Sequence, residues 1–340
     1  MANIKKFYVI IFFIVLGCSA ESEENTVITI MSWNVENFFD DVDNGTEYYE
    51  FDPGNNKWNY DCFTRKASAI ADVITSAENG GPDIVLLQEV ENYNALEYLN
   101  DSYLKALSYP YLCFFPTSNS AVGTAVLSRY PIAGVHNHAV RLDNLLCGRN
   151  IAEVEIFLKE ESPSLVVFIN HWKSKLGGAE ETEPQRIAAS VLLNELMQDA
   201  ILAGYNVLAA GDFNESYDES SRNNEAYQAA IVCGDDVCDG LNLMSWGSKD
   251  EMKNGYTDRY FNPWCELEGY GSYYYNDGWE TLDQFFIGDS FFDDKSPEYS
   301  SFRIVKLGFN ETSQGKPLSW DSGSGLGCSD HFPVILELFF

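Results

Sequence analysis

The sequence predicts one α/β domain, mixed β-sheets with helices outside them, and three observations lead there. Short apolar runs recur that stop at a polar residue: "VITIMSW" before Asn34, "DIVLLQ" before Glu89, "LVVFIN" before His171 and "NVLAAG" before Asp212. Runs of that length bounded by turn residues read as strands buried on both faces. Amphipathic helical patterns lie between some of them, while "GTAVLSR", "NIAEVEIFL" and "LVVFIN" follow one another with no helix between. That mixture implies parallel and antiparallel pairs together.

Each element has its own warrant. The first strand is "VITIMSW", and Ala69, Ile70, Val73, Ile74 and Ala77 then share one face of a helix. "DIVLLQ" follows as the next buried strand. After "LVVFIN", Thr182-x-x-Gln185 reads as a capping box with Pro184 in the first turn, so a helix is expected from there. Ile187, Val191, Leu192, Leu196 and Ile201 continue it at helical spacing, and Gly204 ends it. "NVLAAG" and "TLDQFFI" are further strands, and "PVILELFF" closes the chain.

The start of the chain reads differently. Lys5 and Lys6 precede an apolar run from Phe7 to Leu16, too short to span a bilayer and suited to a signal peptide. Gly17-Cys18 after it resembles a bacterial lipobox; an ordinary signal peptide with a chance cysteine is the alternative. The expected division is a signal peptide over 1–17, a lipidated Cys18 and tether over 18–26, and one domain over 27–340. The expected location is therefore exported and membrane-anchored, in the periplasm or at the cell surface, and otherwise secreted. Cys62, Cys113, Cys147, Cys233, Cys238, Cys265 and Cys328 remain, with Cys233 and Cys238 close enough to close a small loop.

Of 340 residues, 52 are Asp or Glu and 21 are Lys or Arg, a formal charge of −31. Such a surface repels polyanions, and no basic run exists to hold nucleic acid by counterion release. An enzyme that meets phosphate locally through a metal is not excluded. An aromatic fraction of 14% within a hydrophobic fraction of 45% excludes global disorder.

The polar residues at the strand ends carry the chemistry. In α/β sheets ligands bind beyond the carboxyl ends of the strands, so Asn34, Glu89, His171 and Asp212 point to one crevice, and Glu36 and Asn214 join the set. Asp283 lies just inside a strand, and Asp330 and His331 precede one; antiparallel pairing would bring them to the same edge. Carboxylates with an amide oxygen suit a hard divalent cation. Two histidines can exchange protons.

"SWNVEN", "LLQEVEN", "INHWKSK", "GDFNE", "LDQFFI" and "SDHFPV" resemble, in order, the motifs of the endonuclease/exonuclease/phosphatase superfamily, also called DNase I-like. "NFFDDVDNGTEYYEFDP" resembles an acidic loop of its bacterial nuclease-like members. The resemblance implies a four-layer α/β sandwich, two mixed sheets packed face to face with helices outside. It also implies that Asn34, Glu36, Glu89 and Asp330 hold Mg²⁺ or Mn²⁺, with Ca²⁺ a further candidate. By the same resemblance Asp212 activates the attacking water, Asn214 donates to a phosphoryl oxygen, and His331, aligned by Asp283, stabilises the transition state. His171 corresponds to a second histidine of the DNases, but no acidic partner for it is recognisable. Arg149 and Lys173 are the expected phosphate-binding cations, with Lys175 adding local charge. His136 and His138 match no motif and read as a surface turn or strand.

The implied activity is metal-dependent phosphodiester hydrolysis, with nucleic acid the first substrate and no obligate protein partner evident. Sphingomyelinase-type or inositol-phosphate hydrolysis is the enzymatic alternative; an adhesin that kept the fold is the non-catalytic one. Tyr273, Tyr274, Tyr275 and Trp279 are expected chiefly in the core, with base stacking and membrane contact as other roles.

Overall fold

The computed structural model describes residues 26–118, 120–159, 164–223, 226–234, 240–295 and 297–340. The expected signal peptide and Cys18 lie outside the described residues, as does Cys238. Among the described residues no helix is long and apolar enough to cross a membrane.

The chain opens with β1 (Val27–Phe38), α1 (Tyr60–Ala77), β2 (Ile84–Val90), α2 (Tyr93–Leu99), β3 (Tyr111–Phe115) and β4 (Gly123–Ser128). A hairpin of β5 (Ile132–Leu142) and β6 (Leu145–Ile156) leads to β7 (Leu165–His171), α3 (Ala179–Leu202) and β8 (Asn206–Asp212). Next come α4 (Glu219–Arg222), β9 (Ile231–Cys233), β10 (Met244–Gly247), α5 (Lys249–Lys253) and β11 (Tyr260–Phe261). A small hairpin of β12 (Tyr273–Tyr275) and β13 (Gly278–Glu280) precedes β14 (Asp283–Ile287), β15 (Glu298–Ile304) and β16 (Val334–Phe339).

Six strands form one sheet in the order β15-β16-β1-β2-β4-β3, and eight form a second in the order β5-β6-β7-β8-β14-β11-β10-β9. In the first, β1 and β2 run parallel while β16 is antiparallel to β1; in the second, β7 and β8 run parallel while β14 is antiparallel to β8. Alternate side chains explain the layering. Ile28, Ile30, Ile84 and Leu86 face Val154, Ile169, Leu208 and Phe285 between the sheets. Met31, Val85 and Leu87 turn outward onto Ile70, Val73 and Ile74 of α1. On the far side Val166, Phe168 and Ala209 meet Leu193 and Met197 of α3. Each of these larger side chains, from Val to Phe, contributes about 1.5–3 kcal/mol of burial. The result is the expected α/β sandwich, helix, sheet, sheet, helix.

The helix expected from Thr182 starts earlier. Gly178 is the N-cap of α3 and makes no side-chain cap, so Thr182 lies inside the helix. Thr182 Oγ1 donates to the Gly178 carbonyl (2.7 Å) and Arg186 Nη2 to the Ala179 carbonyl (2.7 Å). These side-chain bonds hold an extra turn N-terminal to Pro184.

Candidate active site

The ends of the strands meet over the seam between the two sheets. Across β7, β8 and β14, His171 pairs with Asp212 and Asp212 with Asp283, so three functional residues stand side by side in register. The preceding Gly211 lets these strands approach, because a Cβ there would lie 2.0 Å from the Asn170 carbonyl oxygen. From the other sheet, β1 and β2 bring Asn34 and Glu89. Antiparallel β16 begins at the same edge and carries Asp330 and His331 just ahead of it.

Both β1 and β2 shift register at this edge, β1 between Asn34 and Phe38 and β2 between Gln88 and Val90. Glu36 (φ 53°), Asn37 (φ 61°) and Glu89 (φ 66°) take the left-handed conformation there, as does Asn214 (φ 51°) beyond β8. Irregularities of this kind re-aim side chains, and non-glycine residues in this region cluster at functional sites.

The geometry is tight. Asn34 Nδ2 donates to Glu89 Oε1 (3.2 Å) and to Asp212 Oδ2 (2.9 Å), joining the two sheets. Glu89 Oε2 accepts from the Asn37 backbone N–H (2.9 Å). His171 Nε2 lies 3.6 Å from Glu89 Oε1 and 3.8 Å from Asp212 Oδ2. Buried Asp283 Oδ2 is 2.7 Å from His331 Nδ1. Ser329 Oγ donates to the Asn34 carbonyl (2.7 Å), and Trp33 Nε1 to the His331 carbonyl (3.0 Å), which locks the "SDH" segment onto β1.

These contacts set the charges. Burial pushes the Asp212 carboxyl up to about 7, with His331 opposing and Asp283 adding to it. Burial disfavours charge on His331, but Asp283, by its charge and hydrogen bond, overrides it and holds the imidazole well above its ordinary value. His171 goes the other way. Burial, then Arg149 and His331, hold it well below its ordinary value, so it is neutral. Arg149 Nη1 is 3.1 Å from His171 Nδ1 and can only donate, so the ring proton sits on Nε2, toward Glu89 and Asp212. The partner that orients this second histidine is thus an arginine.

A cavity of about 650 Å³ opens on this edge, lined by Asn34, Glu89, Arg149, His171, Asp212, Asn214, Asp330 and His331 among others. Asp283 stands behind His331. Several expectations change. Glu36 is off the cavity wall, its carboxylate accepting from Ser319 Oγ and from the Trp320 N–H (2.7 Å), because its left-handed backbone turns it toward that loop. Lys173 is off the wall too, its carbonyl held by Arg186 Nη1 (3.0 Å) and its ammonium beside Ser174 (3.5 Å). Lys175 is on the wall, but Glu219 (2.8 Å) and Glu280 (3.5 Å) engage its charge. Arg149 is the expected phosphate cation that remains beside the histidines. Asn214 lines the cavity with its amide turned to Trp172 O (3.1 Å) and Asp212 Oδ2 (3.2 Å), where it orients the carboxylate.

Tyr273 and Tyr275 line the cavity instead of entering the core. The Tyr273 ring lies 4.6 Å from the His331 ring, and Tyr275, 56% exposed, stacks on Tyr273 at 6.3 Å. His136 is exposed on β5, and His138 pairs with Glu153 (2.6 Å), away from the cavity. One residue escaped the sequence reading. Lys66 is fully buried on the apolar face of α1, donates to the Cys328 carbonyl (2.7 Å), and burial lowers it to about 8 against the pull of Glu36 and Asp330. A lone lysine between Phe63 and Ala67 on that face was the available signal.

The donor set fits a hard cation. Glu89 and Asp330 offer carboxylate oxygen, whereas Asn34 presents its Nδ2 to Glu89 and its Oδ1 accepts from the Glu36 N–H (3.0 Å). Burial and the Glu89 charge raise the Asp330 carboxyl against the pull of His331 and Lys66. Among the described residues no three His, Cys, Asp or Glu side chains form a ready cage. A hard divalent cation that binds through one or two carboxylates and keeps several waters fits such a site.

A two-sheet sandwich with carboxylates and histidines converging at one edge defines the phosphoesterase fold of the DNase I-like superfamily. The chain belongs to the Endonuclease/Exonuclease/phosphatase family, whose model matches residues 29–339. TDP2 from Caenorhabditis elegans shares 15% identity and a TM-score of 0.54, over 93% of this chain and 75% of that one. A Bacteroides thetaiotaomicron mannosyl-6-phosphatase shares 14% identity and a TM-score of 0.55, over 92% of this chain and 100% of its own. The human nocturnin catalytic domain, solved with sulfate, shares 17% identity and a TM-score of 0.52, over 93% and 98%. These likenesses show the fold. No curated protein matches the sequence.

Proposed function

We propose that the protein is a divalent-metal-dependent phosphodiesterase acting on single-stranded nucleic acid. The observation that carries the chemistry is the convergence of Glu89, His171, Asp212 and the Asp283–His331 pair on one cavity. Glu89 and Asp330, with Asn34 beside them, would hold Mg²⁺ or Mn²⁺, which when bound polarises the phosphoryl oxygen and offsets charge on the leaving oxygen. Asp212, held by Asn34 and Asn214, takes the proton of the attacking water. His331, kept charged by Asp283, donates to the phosphate. Neutral His171 offers its Nε2–H from the other side, and Arg149 fixes that tautomer.

The substrate reading rests on the stacked Tyr273–Tyr275 pair beside His331. Aromatic platforms hold bases without regard to sequence. The charge of −31 disfavours a long duplex more than a single strand. A hydrolysis panel tests the reading: single- and double-stranded DNA, RNA, sphingomyelin, inositol phosphates, sugar phosphates and bis-p-nitrophenyl phosphate, each with Mg²⁺, Mn²⁺ or Ca²⁺. Turnover of a phosphomonoester or lipid with none of nucleic acid rejects the substrate; no turnover at all rejects the enzyme.

A further inference from the structure

We infer that Arg186 is the positioning residue of the crevice, a staple that holds the two ends of its substrate-facing wall. This rests on the reading of the cavity as a substrate site. Ser174, Lys175, Leu176, Gly177, Gly178 and Ala179 form one side of the cavity. By composition that stretch is loose: Gly177 and Gly178 sit at φ 104° and 116°, and Leu176 is 83% exposed. Arg186, fully buried, closes it from below. Nη1 donates to the Lys173 carbonyl (3.0 Å) and Nη2 to the Ala179 carbonyl (2.7 Å), the residues that bracket the wall. The same guanidinium donates to Thr182 Oγ1 (2.9 Å) and to Glu183 Oε2 (3.1 Å from Nε), and its Nε lies 3.5 Å from Glu215 Oε2.

Glu215 extends the staple to the catalytic loops. It follows Asn214 directly, its Oε1 accepts from the Ile231 N–H (3.0 Å), and its carbonyl accepts from Gln284 Nε2 (2.5 Å), next to Asp283. Arg186 thus clamps the loop after His171 and faces Glu215 across 3.5 Å, while Glu215 itself joins the loop after Asp212 to the start of β14. A planar fork with five donors does this; the ammonium of a lysine, with three, cannot reach both wall carbonyls and both glutamates. Arg186 touches neither the cavity nor the reacting atoms, so it acts through the wall.

The test uses two variants of the whole chain. Arg186→Lys keeps the charge between Glu183 and Glu215 but loses the fork. Arg186→Met/Glu183→Gln/Glu215→Gln replaces the guanidinium and both carboxyl groups together, which avoids stranding a buried charge. In a folded variant, hydrogen–deuterium exchange of the 172–179 segment should rise at least ~10-fold while the β-sheets stay protected. Hydrolysis of bis-p-nitrophenyl phosphate should lose about 10–100-fold in kcat/KM, mostly as raised KM, because the wall meets bound substrate and not the reacting atoms. A purely structural role would lower Tm and leave KM unchanged. Wild-type exchange in the 172–179 segment of Arg186→Lys overturns the staple even if the triple variant does not fold. Raised exchange in the variants, with a wild type that hydrolyses nothing, upholds the staple and rejects the enzymatic reading.

Discussion

Asp283→Asn isolates the pairing behind His331. The carboxylate is fully buried, and its Oδ2 lies 2.7 Å from His331 Nδ1. Asparagine fills the same volume on β14, and the Asp283 backbone N–H keeps its bond to Ser272 Oγ (3.1 Å), so the fold should survive. What disappears is a buried, charge-assisted hydrogen bond. Such a bond is worth about 1.5–3 kcal/mol, and each 1.36 kcal/mol is a factor of ten in rate. A loss of roughly 10–150-fold in kcat follows, with KM little changed, because Asp283 touches His331 and not the substrate. The assay is steady-state hydrolysis of bis-p-nitrophenyl phosphate with Mg²⁺, beside circular dichroism to confirm folding. A folded Asp283→Asn enzyme with kcat within twofold of wild type would falsify the assignment of His331 as the charged donor.

Excess EDTA should abolish hydrolysis and added Mg²⁺ restore it, while Glu89→Gln should raise the Mg²⁺ concentration needed for half activity; full turnover in EDTA would contradict the metal. Tyr275→Ala should weaken binding of single-stranded oligonucleotide by about 5–150-fold and leave bis-p-nitrophenyl phosphate turnover near wild type, since stacking contributes about 1–3 kcal/mol per base. His136→Ala, far from the cavity, should stay within twofold of wild type in the same assays, and inactivation would mean that the site is elsewhere. Cys18→Ala should shift the expressed protein from the membrane to the soluble fraction, and unchanged fractionation would reject lipidation.

How much of this was legible depends on what a side chain's place hangs on. Asn34, Glu89, His171 and Asp212 stand where apolar runs stop, so a strand reading places them at one edge. His331 and Asp330 needed only antiparallel β16. Glu36 and Lys173 have motif positions as good, yet face elsewhere. A left-handed residue in β1 turns the first, and a buried arginine thirteen residues further on holds the second. The arginine partner of His171 comes from β6, the strand beside β7, and its motif position pointed to the phosphate rather than to a histidine. The start of α3 was misplaced for a similar reason, since its extra turn is held by side chains and not by a cap. Tyr273 and Tyr275 look like core by composition, and only the docking of their short hairpin beside His331 shows otherwise.

The left-handed backbone at Glu89 reverses the usual order of alanine and glycine at this position of β2. At φ 66° a Cβ is unfavourable by roughly 1–2 kcal/mol, and glycine is free of that penalty. Glu89→Ala and Glu89→Gly lose the same carboxylate and the same hydrogen bonds, so their difference reports the backbone alone. In an ordinary strand alanine is the more stable of the two; at this position glycine should be, by a few degrees in Tm.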